Sequence, residues 1–466
     1  MDGFSYGCTM GGVAGLADFY PTQLVKTRWI MSQSTLSDPK RREQSSLTPQ
    51  SAVQSFEAKR TAAPSRLEKW LTVRMLQAIG NPPIALVLWD GSTVSGTPGP
   101  TCGRVAIHDR RTLLEIALDP LLYFGEAYSD GRIDVAGSLP SLLSAVYRHR
   151  PSSGMSSLFR RMLDNIESFV DGNSLNGSRL NIHHHYDIGD DFYQLWLDRE
   201  MLYTCAYFPT PESELEAAQR AKMEYVCRKL HLKPGETVVE AGCGWGALAR
   251  YMARHHGVVV KAYNISRNQI AYARQKAREQ GLDGQVEFVE DDYRNISGSF
   301  DVFVSVGMLE HVGVRHYQDL SAVVDRCLGD RGRGLIHSIG QVHRGRELNP
   351  WIRRRIFPGA YPPALSEMVQ LVESAGFGVL DTENLRLHYA RTLEHWLARF
   401  EASAERVAAM FDDRFVRMWR LYLAGSAASF TAGSLHLFQV VFARPADNEV
   451  PWTRSALYAD CRSGGQ

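Results

Sequence analysis

From residue 235 to residue 377 the chain alternates between two rhythms of apolar positions. Short apolar runs, GETVVEAG, VVVKAYNI, QVEFVEDD, FDVFVSVGML and GRGLIHSIG, have the length and β-branched content of buried strands. Between and after them come stretches with helical spacing, ALARYMARHH, SRNQIAYARQKAREQG and PALSEMVQLVESAGF. Ser266 stands at the N-cap of the second of these helices and Gly281 just past its end. Strands that alternate with helices predict an α/β domain with a parallel, doubly wound sheet, spanning residues 183–445.

The upstream pattern is different. SRLEKWLTVRMLQAI opens a module over residues 66–150 in which two strand-like runs, IALVLWDGSTVSG and GRVAIHD, flank a Gly/Pro-rich turn. RRTLLEIALDPLLYFGEAYSDGRIDVAG and the apolar helix LPSLLSAVY follow, predicting a small α+β domain. Residues 151–182 read as a helical linker and 446–466 as a tail. Residues 1–65 are rich in Ser, Thr, Gln and charge, with too few large apolar residues to offset ordering entropy, and are expected to be a disordered extension. Met31 is a candidate for the true start.

Composition changes little in this picture. A chain of 466 residues suits two or three domains, and 44% hydrophobic with 22% charged residues is ordinary for a soluble protein. A formal net charge of +1 argues against nucleic acid as the partner of the whole chain. Seven scattered cysteines without a CxxC pair fit a reducing cytosol, and no secretory signal is visible at the start. Residues 421–443 carry no charge, yet their Ser, Thr, His, Gln and Gly positions predict a partly buried helix followed by a strand instead of a membrane span. No metal is expected, because the three adjacent histidines of NIHHHYDIGDD cannot converge on one ion.

The candidate chemistry centres on TVVEAGCGWGALARYMA. Gly242 and Gly244 allow a sharp turn and a close ligand approach between strand and helix. The spacing ExGxGxG is not the phosphate-binding GxGxxG, and no Walker lysine follows. Glu240 would repel phosphates and accept hydrogen bonds from a cationic or amine-bearing ligand, which points to S-adenosylmethionine. Asn264, Ile265 and Gln269 follow the second strand, where ribose hydroxyls are bound in such folds. Asp292 and Tyr293 follow the third, placed to bond and stack an adenine; a turn-capping acid is the other reading of Asp292.

Five ordered motifs, HYDIGDDFYQLWLDREMLYTCAYF, LKPGETVVEAGCGWGALARYMA, DYRNISGSFDVFVSVGMLEHVG, IFPGAYPPALSEM and LRLHYARTLEHWLARF, resemble the cyclopropane-fatty-acyl-phospholipid synthase family, related to the mycolic acid cyclopropane synthases. A weaker resemblance, ALVLWDG with LLYFGEAYSDGRIDV, extends it over the N-terminal module. The resemblance implies a Rossmann-like class I S-adenosylmethionine-dependent methyltransferase domain behind a small domain for lipid docking or a homodimer contact. It implies methyl transfer to the cis double bond of an unsaturated acyl chain in a membrane phospholipid, then deprotonation to close a cyclopropane ring. Bicarbonate is the implied base, held by residues matching Cys205, Glu310, His337, Ile339 and Tyr389; cofactor contacts carry over to Tyr203, Thr204, Gly242, Gly244, Ile265, Gln269, Asp292 and Tyr293. Thr204 stands where the family commonly has Ser, and Pro363 where a Ser is common. The implied location is cytoplasmic, peripheral to the inner face of the membrane.

The chemistry suits these residues. A carbocation formed on the chain needs shielding from water and aromatic faces around it, for which Tyr203, Tyr207, Phe208, Tyr293 and Tyr389 are candidates, Phe208 reading more simply as core. Glu310 and His337 each follow an apolar strand, hence the carboxyl edge of the sheet, and their shared position favours a site over a core histidine. Cys205 has no nearby partner for covalent catalysis. RGRELNPWIRRRIFPGAYPP, with Arg344, Arg346, Arg353, Arg354 and Arg355 around Trp351 and Phe357, is a candidate membrane-binding loop. Two alternatives stay open: the same cation leading to a methylene- or methyl-branched chain, and a non-catalytic lipid-binding protein.

Overall fold

The computed structural model describes residues 63–149, 188–345 and 348–458. The expected extension up to residue 62, the linker 151–182 and the end of the tail lie outside the described residues, as do the three histidines of NIHHHYDIGDD.

In the N-terminal module, β1 (Ala85–Val87), β2 (Thr93–Ser95), β3 (Gly103–Ile107) and β4 (Ile133–Gly137) form a sheet in the order β2-β1-β3-β4. The run IALVLWDGSTVSG is not one strand: Asp90 accepts a hydrogen bond from the Ser92 N–H at 2.9 Å and the chain turns back, pairing β1 with β2 antiparallel. The helix Arg66–Ala78 opens with a capping box between Ser65 and Glu68.

Among the described residues the second sheet has seven strands: β5 (Thr237–Ala241), β6 (Val259–Asn264), β7 (Val286–Glu290), β8 (Phe300–Val306), β9 (Leu328–Gly340), β10 (Gly378–Asn384) and β11 (His436–Ala443), ordered β10-β11-β9-β8-β5-β6-β7. The block from β9 to β7 is parallel, as alternation predicts. β11 breaks the rule, lying antiparallel to both β9 and β10. Apolar periodicity marks HLFQVVFA as a strand but carries nothing about its direction. The helix Asp413–Thr431 precedes it, matching the reading of residues 421–443; no helix among the described residues is long and apolar enough to cross a membrane.

The helices Arg386–Ala402 and Asp413–Thr431 carry Trp396, Phe400, Phe415 and Trp419 into one apolar cluster with Phe192 and Trp196 and with the N-terminal module's Leu113, Ile133 and Leu142. The arginine-rich segment is tied into the same body. Trp351 is buried at 3% exposure, packed so closely on Gly125 that a Cβ there would stand 2.4 Å from the indole. Arg355 donates twice to Glu126, at 2.8 and 2.7 Å, and Phe357 stacks edge-on against Tyr422. The expected membrane loop is corrected accordingly: its tryptophan is core, because the segment buries an apolar face against the helix Pro120–Ser129 and leaves no aromatic wedge at Trp351.

Candidate active site

The parallel strands end on one edge, and a cavity opens there. β5 delivers Glu240, the turn after it Gly242 and Gly244, β6 Asn264 and then Ile265, the end of β7 Asp292 and Tyr293, and β8 Gly307 and Met308. Gln269 comes from the helix Arg267–Glu279, and Tyr203 and Thr204 from the segment before the helix Leu215–Lys229. All nine residues expected at the cofactor, Tyr203, Thr204, Glu240, Gly242, Gly244, Ile265, Gln269, Asp292 and Tyr293, line this cavity. Gly242 has φ +84°, and a Cβ on it would lie 2.8 Å from that of Met308. Gly246, the third glycine of the motif, is not on the cavity wall; it caps the helix Ala247–His256 at φ +76°, packed against Phe288.

Two buried polar atoms on this wall lack a partner among the described residues. Glu240 is 2% exposed with Oε2 unpaired, and burial raises its carboxyl to about 7. Gln269 accepts from Asn264 at 2.7 Å through Oε1 and keeps an unpaired Nε2. An acceptor and a donor, beside a glycine turn with no basic residue in it, fit a ligand with hydroxyl and ammonium groups and no phosphate. Asp292 contributes differently from the expectation. Its carboxylate accepts from Arg294 Nε at 2.8 Å, from Nη2 at 2.9 Å and from the Arg294 N–H at 3.0 Å, so it builds the turn that presents Tyr293.

Lys222 escaped the sequence reading. It is buried at 1% exposure on the cavity wall, and its Nζ donates to Thr204 Oγ1 at 2.8 Å. Burial lowers its ammonium to about 8, and its charge acts on Asp198, Cys205 and Glu240. A lysine inside a helical run with polar neighbours looks like a solvated face; the only signal was its place in AAQRAKMEYVC, one turn from apolar positions on both sides.

The five residues assigned to the oxyanion do not line this cavity. They lie where β8 and β9 end and the helix Arg386–Ala402 passes. Glu310 follows β8, 6% exposed; its Oε1 accepts the Ile339 N–H at 2.5 Å and its Oε2 has no partner among the described residues. Burial raises its carboxyl to about 7. Ile339 therefore holds Glu310 through its backbone. His337, two residues earlier on β9, is 1% exposed, with Nδ1 3.0 Å from Gln439 Nε2 and its own Nε2 without a partner among the described residues. Burial and the charges of Lys222 and Lys229 hold the imidazole well below its ordinary pKa, hence neutral.

Cys205 is fully buried, its thiol donating to the Ala206 carbonyl at 3.1 Å and pushed far up by burial, which leaves no thiolate for covalent chemistry. Tyr389 packs at 6.0 Å on Trp396, whose ring also meets Tyr203 at 5.4 Å, so one indole bridges the two residue sets. Tyr207 and Phe208 stack away from the cavity, on Tyr225 and His388 and on His395 respectively; the core reading of Phe208 holds. Among the described residues no cluster could hold a metal ion.

Residues 174–440 match the model of the mycolic acid cyclopropane synthetase family. The chain belongs to this family. Its similarity extends beyond the catalytic region: a probable fatty acid methyltransferase of Pseudomonas putida is 34% identical over 400 residues, covering 81% of this chain and 96% of the relative. The cyclopropane-fatty-acyl-phospholipid synthase of Escherichia coli K12 is 41% identical over 264 residues, covering 57% and 68%. Among solved structures, mycolic acid cyclopropane synthase CmaA1 complexed with SAH and CTAB is similar at 29% identity and a TM-score of 0.55, over 57% of this chain and 98% of that one. Residues 71–157 match a second model, a domain of unknown function. As a family member the protein is an S-adenosylmethionine-dependent methyltransferase with a class I Rossmann-like fold.

Proposed function

We propose that the protein transfers a methyl group from S-adenosylmethionine to the cis double bond of unsaturated acyl chains in membrane phospholipids and, by bicarbonate-assisted deprotonation, forms cyclopropane fatty acids. The observation that carries this reading is a pair of buried atoms without partners among the described residues, Glu310 Oε2 on the short helix Leu309–Val312 after β8 and His337 Nε2 near the end of β9, beside the cofactor cavity.

When bound, S-adenosylmethionine supplies an electrophilic methyl. Glu240 and Gln269 orient it, and Tyr203, Thr204, Gly242, Gly244, Ile265, Asp292 and Tyr293 form the rest of its wall. The site excludes water from a cation that water would trap as an alcohol. Bicarbonate carries both an O–H and bare oxygens. Glu310 Oε2 would accept from such an O–H, and the neutral His337 and the Tyr389 hydroxyl would donate to the oxygens. Ile339 fixes Glu310, and Cys205 stays a neutral, fully buried thiol. The small α+β module brings the chain to lipid, at the inner face of the membrane.

The test is incubation with isotope-labelled S-adenosylmethionine and vesicles of unsaturated phospholipid. Label recovered in extracted lipid supports the reading. Lipid binding without transfer would favour a carrier, and an olefinic product that takes up hydrogen would favour the methylene-branched outcome.

A further inference from the structure

A row of polar side chains crosses three strands behind the oxyanion residues. In register, Glu383 on β10 stands opposite Gln439 on β11, and Gln439 opposite His337 on β9. Lys229, at the end of the helix Leu215–Lys229, closes the row: its Nζ lies 2.6 Å from Glu383 Oε2 and 2.8 Å from Gln439 Oε1. Lys229 and Gln439 are both buried, at 4% and 0% exposure.

The chemistry of these groups allows one proton arrangement. An ammonium only donates, so the Gln439 atom facing Lys229 is its carbonyl oxygen. The amide NH2 therefore faces His337, at 3.0 Å from Nδ1. An amide NH2 also only donates, so Nδ1 must carry its lone pair. A neutral imidazole with a bare Nδ1 has its proton on Nε2, the buried atom with no partner among the described residues. An imidazolium would set one N–H against another. Burial lowers the Lys229 ammonium and the ion pair with Glu383 opposes that shift, while the Tyr225 ring lies 4.6 Å from Nζ and helps to hold it in place.

We propose that Lys229 and Gln439 are positioning residues that lock His337 as its Nε2–H tautomer, so that the imidazole faces the site as a hydrogen-bond donor and not as a base. That the donor serves an anion rests on the oxyanion reading above; the tautomer itself does not. In metal sites the loss of the partner that orients a ligating histidine lowers affinity or activity about ten- to hundredfold, and a loss of that order is expected of this relay.

Nitrogen NMR of the full-length protein with labelled histidine tests this directly. The wild-type His337 signal is expected from a neutral ring with Nε2 protonated. Gln439→Glu, similar in shape but an acceptor on both sides, should place a proton on Nδ1. Lys229→Met frees the Gln439 amide to turn, giving mixed tautomers of a histidine that Lys229 never touches, with kcat down about ten- to hundredfold and unchanged affinity for S-adenosylmethionine. A wild-type ring protonated on Nδ1 or on both nitrogens would overturn the proposal, and needs no variant to fold. So would an unaltered tautomer in Gln439→Glu. A locked Nε2–H tautomer in a protein whose turnover ignores added bicarbonate would support the relay and overturn the oxyanion reading instead.

Discussion

Glu310 and Ile339 are joined by a hydrogen bond of 2.5 Å from a backbone N–H on β9 to a carboxylate at the end of β8. The contact fixes one oxygen of a buried acid and leaves the other free to act. Burial raises the carboxyl to about 7, so the ion is costly to the folded state. An acid raised in this way leaves stability untouched below its unfolded pKa of about 4.5 and lowers it as pH rises toward 7. Glu310→Gln keeps the acceptor for Ile339 and removes the ion. Thermal unfolding is expected to show the variant more stable than wild type at pH 8, by up to about 3 kcal/mol, and no more stable at pH 4. Its formation of cyclopropane product should be lost.

Glu240 titrates on the cofactor side. Its carboxyl is raised to about 7 by burial, with Lys222 pulling in the opposite direction. Calorimetry should therefore show cofactor affinity rising between pH 6 and pH 8 as Glu240 ionises. Glu240→Gln should bind about ten- to hundredfold more weakly at pH 8 and lose this component of the pH dependence. Lys222→Met removes the opposing charge, so the midpoint of that rise should move to higher pH.

Trp351 is core. Trp351→Ala should lower stability by about 3–5 kcal/mol in denaturant unfolding, as a large buried aromatic does when truncated. Any loss of vesicle binding should track the unfolded fraction and disappear under conditions where the variant is folded.

The pair Arg355–Glu126 ties the arginine-rich segment to the N-terminal module, with Arg414 3.7 Å from the same carboxylate. Arg355→Met strips a buried acid of its bidentate partner and should cost about 2–4 kcal/mol, moderated by Arg414. Glu126→Gln in the same background should recover part of the loss, because it removes the stranded charge.

The parallel core was legible because each strand is a compact apolar run and each helix keeps its own period, as with Ser266 at an N-cap and Gly281 beyond the end. The cofactor residues were legible because the strand ends of such a sheet converge on one edge. What stayed hidden depends on partners distant in sequence. Lys222 reads as a surface lysine until Thr204 and Glu240 surround it, and Trp351 as a membrane anchor until Gly125 packs on it. The direction of β11 decides that Gln439 meets His337, and no local pattern encodes it. Of the two readings of Asp292, the turn-capping one is seen in its bonds to Arg294, only two residues away, while the residue also lines the cavity.

The most direct measurement uses S-adenosylmethionine with a fully deuterated methyl and a cis-unsaturated phospholipid, followed by mass spectrometry of the acyl chains before and after hydrogenation. Methyl addition with loss of one deuteron, in a product that resists mild hydrogenation, is the result expected of ring closure at Glu310 and His337. A chain that keeps all three deuterons, or acquires no label at all, would contradict it.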